Sequence, residues 1–309
     1  MVAGTVVALL GPTGVGKTDL AIALARELDG EVVSVDSRLL YRGMDIGTAK
    51  PAPAQRADVP HHLIDVADPD ETWSLGQFRE AVHRVVDEVL ERQRLPILAG
   101  GTGQYMVATL EGWDPPAHPP DPVLRQELAA FAEAHGAKAL HDRLRERDPS
   151  AAARIDPRNV RRVIRALELA ASGVSRDRNE LRSPAFDAIR VGLRLPRPEL
   201  YARLDRRIDR MLAEGLVEEV RGLLAQGYST DLPSMSAIGY RQIAAHLRGE
   251  STLEEAVARI RQATRRFVRH QANWFREDDP RIRWFEPRPG YEADVMSWIR
   301  HRLGRSGSG

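Results

Sequence analysis

Short apolar-rich runs alternate with helical patterns in the first third of the chain. Residues 6–10, 31–35 and 96–99 are such runs, and each predicts a strand. Residues 18–28 and 75–92 lie between them and carry apolar side chains at helical spacing. This alternation predicts an α/β fold, a parallel sheet with helices on both faces.

The pattern changes after residue 113. A proline-rich stretch, 114–122, is followed by alanine- and arginine-rich helical patterns to about residue 183, with no clear strand. We therefore predict an α-helical insertion domain at 114–187 within a core of residues 1–113 and 188–309. The core resumes with a predicted strand at 188–195 and a last strand at 281–285. The predicted helices of this part are 199–225, 236–248, 253–276 and 292–303, and residues 304–309 are expected to be a disordered tail.

Composition narrows the class of protein. The 309 residues are 42% hydrophobic and include no cysteine, which excludes disulfides and thiolate chemistry. No apolar run approaches the roughly 18 residues that a membrane span needs, so we expect a cytoplasmic protein without a membrane segment. The net charge of +1 combines 45 basic with 44 acidic residues, so only local clusters bear on nucleic-acid binding.

The turn after the first predicted strand is a phosphate loop. Residues 11–18 match G-x-x-x-x-G-K-[ST], whose glycines let backbone N–H groups surround phosphate oxygens at the start of a helix. Lys17 adds a charge, and the Thr18 hydroxyl is a natural Mg²⁺ ligand. The predicted diphosphate- or nucleotide-binding residues are Gly11, Pro12, Thr13, Gly14, Val15, Gly16, Lys17 and Thr18.

Polar residues also follow the other two predicted strands. Asp36 ends the second strand, and Thr102 lies in a glycine-rich turn after the third. Ligands of open parallel sheets bind at the carboxyl ends of strands, so both residues are candidates for one site. From the residues alone, Asp36 fits a Mg²⁺ carboxylate, a general base or a helix cap, and Thr102 fits a turn residue.

A pair of histidines looks superficially like part of a metal site. His61 and His62 are followed by Asp65. Adjacent histidines point apart in any regular element, and no third spaced ligand is evident. We therefore do not expect a metal there.

Arginine clusters are the candidates for contact with nucleic acid. Arg161, Arg162 and Arg165 recur at helical spacing in the insertion, and residues 259–270 carry a second cluster. A third group alternates with Asp205 and Asp209, and for it we favour a solvated, arginine-rich face without a role in RNA binding. That third group is Arg203, Arg206, Arg207 and Arg210.

Several segments together resemble one family, the bacterial tRNA dimethylallyltransferases. These segments are 11–18, 35–37, 41–51, 61–65, 100–105, 237–242 and 274–276, and the resemblance covers residues 6 to about 276. It implies a P-loop NTPase-like fold and transfer of a dimethylallyl group from dimethylallyl diphosphate. The acceptor is the N6 amine of adenosine 37, beside the tRNA anticodon.

The resemblance also implies residue roles. Asp36 is the expected general base, Thr102 positions the amine and the diphosphate, and Lys17 and Thr18 serve the diphosphate and Mg²⁺. The implied partners are the anticodon stem-loop of tRNA and dimethylallyl diphosphate, and we expect a monomer. The tRNA-binding residues expected by resemblance are Asp36, Ser37, Arg38, Leu39, Thr102, Arg125, Arg161, Arg162, Val163, Ile164, Arg165, Ser236, Ala237, Ile238, Gly239, Tyr240 and Arg241.

Two positions depart from the family pattern. Gln104 stands where a bulky apolar residue is usual, which predicts altered packing behind Thr102. His270 replaces a permanent cation, which leaves one less fixed charge in the motif near residue 270.

Three other functions compete with this interpretation. A phosphate loop with a facing carboxylate also fits a small-molecule kinase that binds ATP. A prenyltransferase for free adenine nucleotides would not need the arginine-rich insertion. An RNA-binding protein without catalysis would not need Lys17, Thr18, Asp36 and Thr102.

Overall fold

The structure is a computed structural model that describes residues 4–113, 121–173 and 186–306. The chain forms two compact units, Met1–Gly112 with Ser183–Gly309, and Trp113–Arg182. Most of the proline-rich stretch lies outside the described residues, as do residues 174–185.

One parallel sheet forms the centre of the larger unit. Its order is β3-β2-β4-β1-β5-β6, so the first strand lies between the fourth and fifth. The strands are β1 (Thr5–Leu10), β2 (Gly30–Ser34), β3 (His61–His62), β4 (Leu95–Ala99), β5 (Asp187–Leu193) and β6 (Ile282–Phe285).

Helices connect these strands and also make up the smaller unit. Several begin with a capping box, as where Ser74 Oγ accepts from Gln77 N and Gln77 Oε1 accepts from Ser74 N. The helices are α1 (Lys17–Glu27), α2 (Pro53–Asp58), α3 (Leu75–Glu91), α4 (Gly103–Leu110), α5 (Pro122–Arg147), α6 (Pro149–Arg154), α7 (Val160–Ala171), α8 (Arg197–Ala213), α9 (Leu216–Ala225), α10 (Tyr240–Leu247), α11 (Leu253–Gln271) and α12 (Tyr291–Ser306). Within the described ranges, no helix is long and apolar enough to cross a membrane.

Alternate residues of β1 pack into different cores. Val6, Ala8 and Leu10 join a cluster that includes the apolar face of α3. Val7 and Leu9 join a second cluster with α1 and α12. Because successive strand residues point to opposite faces, this division means that helices cover both sides of the sheet. The predicted α/β fold is confirmed.

The smaller unit is helical throughout its described part. Helices α5, α6 and α7 surround a core that contains Leu140, Leu144 and Val163, all fully buried. Gly136 interrupts α5 with φ 86°, a value that favours glycine and kinks the helix. Residues 121–173 contain no strand, as the sequence predicts.

Three helix predictions need correction. The predicted helix 199–225 is two helices, because Gly215 adopts φ 102° and separates α8 from α9. The helix predicted at 236–248 begins at Tyr240, after a 3₁₀ turn at Ser234–Ser236. Helix α12 continues to Ser306, so the expected disorder at 304–306 is wrong, and residues 307–309 lie outside the described part.

The long connection between β2 and α3 contains regular structure that the sequence did not reveal. It includes α2, of six residues, and β3, of two, which pairs with β2 through Val32 and Val33. Helix α4 directly after β4 was likewise not predicted. These elements are too short to produce a clear periodic pattern.

Candidate active site

The phosphate loop joins β1 to α1 in a backbone shape that only glycine adopts easily. Gly11, Gly14 and Gly16 have φ of 133°, 84° and 106°. A Cβ on Gly11 would also lie 2.3 Å from the carbonyl oxygen of Leu193 on β5. These glycines let the loop curl beside the sheet and direct its N–H groups toward a bound anion.

Lys17 is buried inside this loop. Its Nζ donates to the carbonyl oxygens of Gly11, at 2.8 Å, and Pro12, at 2.9 Å. Burial lowers the pKa of Lys17 to about 8, although the negative charge of Asp36 acts in the opposite direction. Lys17 therefore loses its proton more readily than an ordinary lysine, and an anionic ligand would stabilise its charged form.

Backbone N–H groups orient the Asp36 carboxylate just beyond the end of β2. Oδ1 accepts from Arg38 N at 2.9 Å, and Oδ2 accepts from Gly101 N at 3.1 Å. The second bond crosses to the turn after β4, the neighbouring strand. Each oxygen keeps a lone pair, so the carboxylate is fixed in place and can still accept a proton.

Thr102 lies in the same turn and holds the end of β2. Its Oγ1 accepts from Ser37 N at 3.1 Å and lies 3.2 Å from Ser37 Oγ. Gln104 is exposed, so it does not alter the packing behind Thr102, and that expectation is wrong. Trp274 packs there instead, because a Cβ on Gly103 would lie 2.5 Å from its ring.

Gln271, the last residue of α11, connects the phosphate loop to the turn after β4. Its Oε1 accepts from Thr13 N at 2.9 Å, and its Nε2 donates to Gly101 O at 2.5 Å and to Thr13 Oγ1 at 3.1 Å. Sequence reasoning did not find this role, because a single glutamine carries no distinctive pattern. Its place in a motif shared with the resembled family was the only available signal.

A cavity of about 880 Å³ opens at these strand ends. The phosphate loop, Thr18, Asp36 and Leu39 line it, as do residues 45–56 and several arginines of α8. Gly101 lies close to both Asp36 and the phosphate loop, since a Cβ there would approach Asp36 Oδ2 at 3.0 Å and Thr13 Oγ1 at 3.1 Å. The three predicted groups after β1, β2 and β4 therefore lie together.

The arginines of α8, expected to form a solvated face, differ in exposure: Arg206 and Arg210 are exposed, whereas Arg203 and Arg207 are half-buried. Asp205 and Asp209 pair with Arg265 and Arg261 of α11, at 2.6 and 2.5 Å, rather than with arginines of their own helix. These two α11 arginines, predicted as RNA contacts, thus hold helices together. Arg203 pairs with Glu199, one turn away on the same helix.

The remaining α8 arginines add positive charge to the cavity. Arg206, Arg207 and Arg210 all line it. Burial lowers the pKa of Arg207, while Asp36 acts to raise it and Arg210 to lower it. Arg207 is thus a cation close to both Asp36 and Lys17. Its charge also lowers the pKa of Lys17.

Two stretches predicted to touch tRNA lie side by side. The Arg38 guanidinium donates to Pro233 O at 2.6 Å and to Ser236 Oγ at 3.2 Å. Ser236 and Arg241 are exposed, and Ile238 is half-buried. Ala237, Gly239 and Tyr240 are buried, and the contact with tRNA expected of them stays a prediction.

The predicted tRNA residues of the smaller unit also divide by burial. Arg161 and Arg162 are exposed on α7. Val163 and Ile164 belong to the unit's core, and the RNA contact expected of them stays a prediction. Arg125 pairs with the buried carboxylate of Glu168 through Nε at 2.8 Å, and Arg165 lies 3.4 Å from the same carboxylate.

The paired histidines have other partners. His61 Nδ1 lies 2.7 Å from Val59 O, and His62 Nε2 lies 2.6 Å from Glu31 Oε2. Among the residues that the structure describes, no group of three His, Asp or Glu side chains is arranged to hold a metal.

The parallel sheet and the glycine-rich loop between its first strand and helix define a P-loop-like α/β fold, with a carboxylate at the neighbouring strand end. Two family models match the chain, IPP transferase over residues 39–278 and isopentenyl transferase over residues 4–66.

Individual relatives agree with these models. The chain is 50% identical to the tRNA dimethylallyltransferase of Thermomicrobium roseum over 302 residues, 96% of this chain and 91% of the relative. The crystal structure of the tRNA isopentenylpyrophosphate transferase of Bacillus halodurans has 39% identity and a TM-score of 0.74, covering 99% of this chain and 98% of that one. The corresponding protein of Staphylococcus epidermidis has 29% identity and a TM-score of 0.71, with 98% and 99% covered. The chain belongs to the IPP transferase family, and it is a prenyltransferase.

Proposed function

We propose that this enzyme transfers the dimethylallyl group of dimethylallyl diphosphate to the N6 amine of adenosine 37 in tRNA. The product is N6-isopentenyladenosine, beside the anticodon. The observation that carries the proposal is the Asp36 carboxylate, fixed by two backbone N–H groups in the cavity that the phosphate loop also lines. The names of the relatives in Thermomicrobium and Bacillus support the same reaction.

The donor diphosphate fits the phosphate loop. Backbone N–H groups of residues 13–18 and the Lys17 ammonium stabilise the negative charge that gathers on the leaving group. Arg207 supplies a further cation at the same cavity. The hydroxyl of Thr18, exposed at the cavity, suits a hard cation such as Mg²⁺, which when bound neutralises diphosphate charge.

Asp36 acts on the acceptor. The exocyclic amine of adenine is a weak nucleophile, and it becomes positively charged as it attacks the allylic carbon. The new N–C bond forms as the C–O bond to the diphosphate breaks, and Asp36 accepts the proton that the amine loses. Thr102 and Ser37, hydrogen-bonded to each other, hold the end of β2 so that this carboxylate faces the amine.

The acceptor base must leave its stack to reach the cavity. Unstacking a loop base costs a few kcal/mol, and phosphate contacts by exposed arginines offset that cost. Arg161 and Arg162 of α7, and the exposed Arg241 near Ser236, are the residues we assign to the anticodon stem-loop. As a separate part of the proposal, the enzyme acts as a monomer in the cytoplasm.

Prenyl transfer from labelled dimethylallyl diphosphate tests the proposal directly. Unmodified tRNA is compared with a matched tRNA in which adenosine 37 is replaced, in the presence of Mg²⁺. Label is expected only in the tRNA that carries the adenosine. No label in either tRNA, with ATP consumed instead, would favour a P-loop kinase.

A further inference from the structure

The carboxylate of Glu219, on α9, accepts four hydrogen bonds. Its Oε2 accepts from the backbone N–H groups of Asp45 at 2.9 Å and Ile46 at 2.7 Å. Its Oε1 accepts from Gly47 N at 3.1 Å and from the Tyr240 hydroxyl at 2.6 Å. One side chain thus binds three successive backbone N–H groups from a loop more than 170 residues away in sequence.

Tyr240 completes the attachment of this loop. It is fully buried, and burial together with the charge of Glu219 raises its pKa, so the phenol remains a donor. A Cβ on Gly47 would lie 2.5 Å from the Tyr240 ring, which means that the loop backbone packs directly against it. Hydrogen bonds to a charged acceptor are about twice as strong as neutral ones.

Lys50 holds the same loop at its other end. Its buried Nζ donates to Tyr41 O at 2.5 Å, to Asp45 Oδ1 at 2.6 Å and to Asp65 Oδ1 at 2.5 Å. The loop is therefore fixed internally by Lys50 and externally by Glu219. Glu219 and Tyr240 connect it to another part of the fold, whereas Tyr41, Asp45 and Asp65 belong to the same connection.

This loop contributes apolar side chains to the cavity lining, beside its polar Asp45, Thr48 and Lys50. Ile46, Ala49 and Pro51 line the cavity together with Leu39 and Met211. The phosphate loop and the α8 arginines line it with charged and polar groups. A ligand with a diphosphate head and a five-carbon chain matches these two kinds of lining, with its chain against the loop.

We propose that Glu219, acting with Tyr240, is a positioning residue that fixes the apolar wall against which the dimethylallyl chain packs. This inference rests on the proposed function. It assigns to Glu219 the affinity for the prenyl part of the donor and no part of the affinity for diphosphate.

Glu219→Gln tests this assignment. The amide presents its NH₂ group to N–H donors, so it cannot accept all four bonds. We expect the KM for dimethylallyl diphosphate to rise about tenfold. Inhibition by Mg²⁺–pyrophosphate, which has no prenyl chain, is expected to remain within about twofold of wild type.

Two further variants complete the design. Glu218→Gln changes the neighbouring glutamate, which is exposed and pairs with Arg221, and it should leave both values unchanged. Tyr240→Phe removes one donor and leaves the carboxylate, so a smaller rise in KM is expected. It also provides the test if Glu219→Gln does not fold.

Either of two results would overturn the inference. An unchanged KM in Glu219→Gln and Tyr240→Phe would show that the wall does not depend on this pair. Equal loss of donor and pyrophosphate affinity would show a general structural role. Failure of the proposed function is a separate outcome, because wild-type enzyme would then transfer no label to tRNA.

Discussion

At the scale of single residues, the site is defined by charges that the backbone holds in place. Asp36 is fixed by the N–H groups of Arg38 and Gly101, and Lys17 by the carbonyl oxygens of Gly11 and Pro12. Among the described residues, backbone atoms rather than flexible side chains hold both charged groups. Such preorganisation avoids reorientation during reaction, which is how enzymes stabilise developing charge.

Removing the carboxylate of Asp36 is expected to separate catalysis from RNA binding. Asp36→Ala should lower the rate of prenyl transfer by about 10²–10⁴-fold, the usual contribution of a general base. The dissociation constant for tRNA should stay near the wild-type value. Single-turnover transfer and filter binding measure the two quantities, with Asp70→Asn, an exposed acidic residue, as the control.

Transfer at a near wild-type rate in Asp36→Ala would contradict the assignment of the general base. Loss of tRNA binding alongside transfer would instead mean that Asp36 shapes the RNA surface.

The pKa of Lys17 predicts a pH dependence of diphosphate binding. Because the ligand-free pKa is lowered to about 8, the ammonium loses its proton as the pH rises through that value. Affinity for Mg²⁺–pyrophosphate should therefore fall between about pH 8 and pH 10. Calorimetric titration across this range measures it, and the Lys17→Met variant corrects for ionisation of pyrophosphate itself.

Stability should change with pH in the opposite direction. The folded pKa of Lys17 lies below its unfolded value of 10.5, so the buried charge destabilises the folded state most below pH 8. That penalty disappears as the pH rises toward 10.5.

For the binding prediction, a pyrophosphate titration with the same pH dependence in Lys17→Met as in wild type would refute the role of this lysine.

At the scale of elements, α11 organises the site from a distance. Arg261 and Arg265 pair it with α8, which carries the cavity arginines, and Gln271 at its end joins the phosphate loop to the turn after β4. Trp274, just beyond, packs against Gly103. One helix thus positions both the phosphate loop and the turn that holds the Asp36 carboxylate.

Replacing Gln271 is expected to disturb both loops together. Gln271→Leu leaves Thr13 N and Gly101 O without their partner, and each unsatisfied buried group costs about 1–3 kcal/mol. We expect a lower melting temperature and a fall in kcat greater than any change in tRNA affinity. The matched control is Gln262→Leu, an exposed position on the same helix.

A fall in tRNA affinity as large as the fall in kcat would contradict this interpretation of Gln271. It would indicate that the end of α11 serves RNA binding rather than the alignment of the two loops.

At the scale of the whole molecule, positive charge is concentrated in local groups of arginines, while the net charge is close to zero. The net charge is +1, yet exposed arginines of α7 occur in the smaller unit and several arginines line the cavity of the larger one. Many other arginines are committed to ion pairs, as Arg125 is to Glu168. The proposed binding of tRNA therefore relies on a few exposed arginines of the described residues, Arg161 and Arg162 among them.

The salt dependence of tRNA binding tests the α7 arginines. Each phosphate contact contributes about 0.7–0.9 to the slope of log K against log salt concentration. Replacing both Arg161 and Arg162 with glutamine should reduce that slope by roughly 1.4–1.8 and weaken binding, without changing the KM for the donor. Arg158→Gln is the control, because Arg158 already pairs with Asp156. An unchanged slope in the double variant would place the RNA elsewhere.

Local sequence determined the framework of this protein. The strands at the start of the chain, the phosphate loop and the placement of Asp36 after β2 follow from apolar periodicity and from glycine at fixed offsets. These signals act over a few residues, which is why they can be interpreted without a structure. Even the neighbouring positions of Asp36 and Thr102 follow once parallel strands are assumed.

Which side chains serve the site and which serve the fold depends on contacts between distant parts of the chain. Gln271 reaches Thr13 across 258 residues, and Glu219 reaches Gly47 across 172. Tyr240 is buried against Glu219, and α8 turns Arg207 toward the cavity, although both had been assigned otherwise. Local pattern does not encode such contacts, because a residue's partner depends on how distant helices pack. Long-range packing therefore determined the roles, within a framework that short-range physics had already specified.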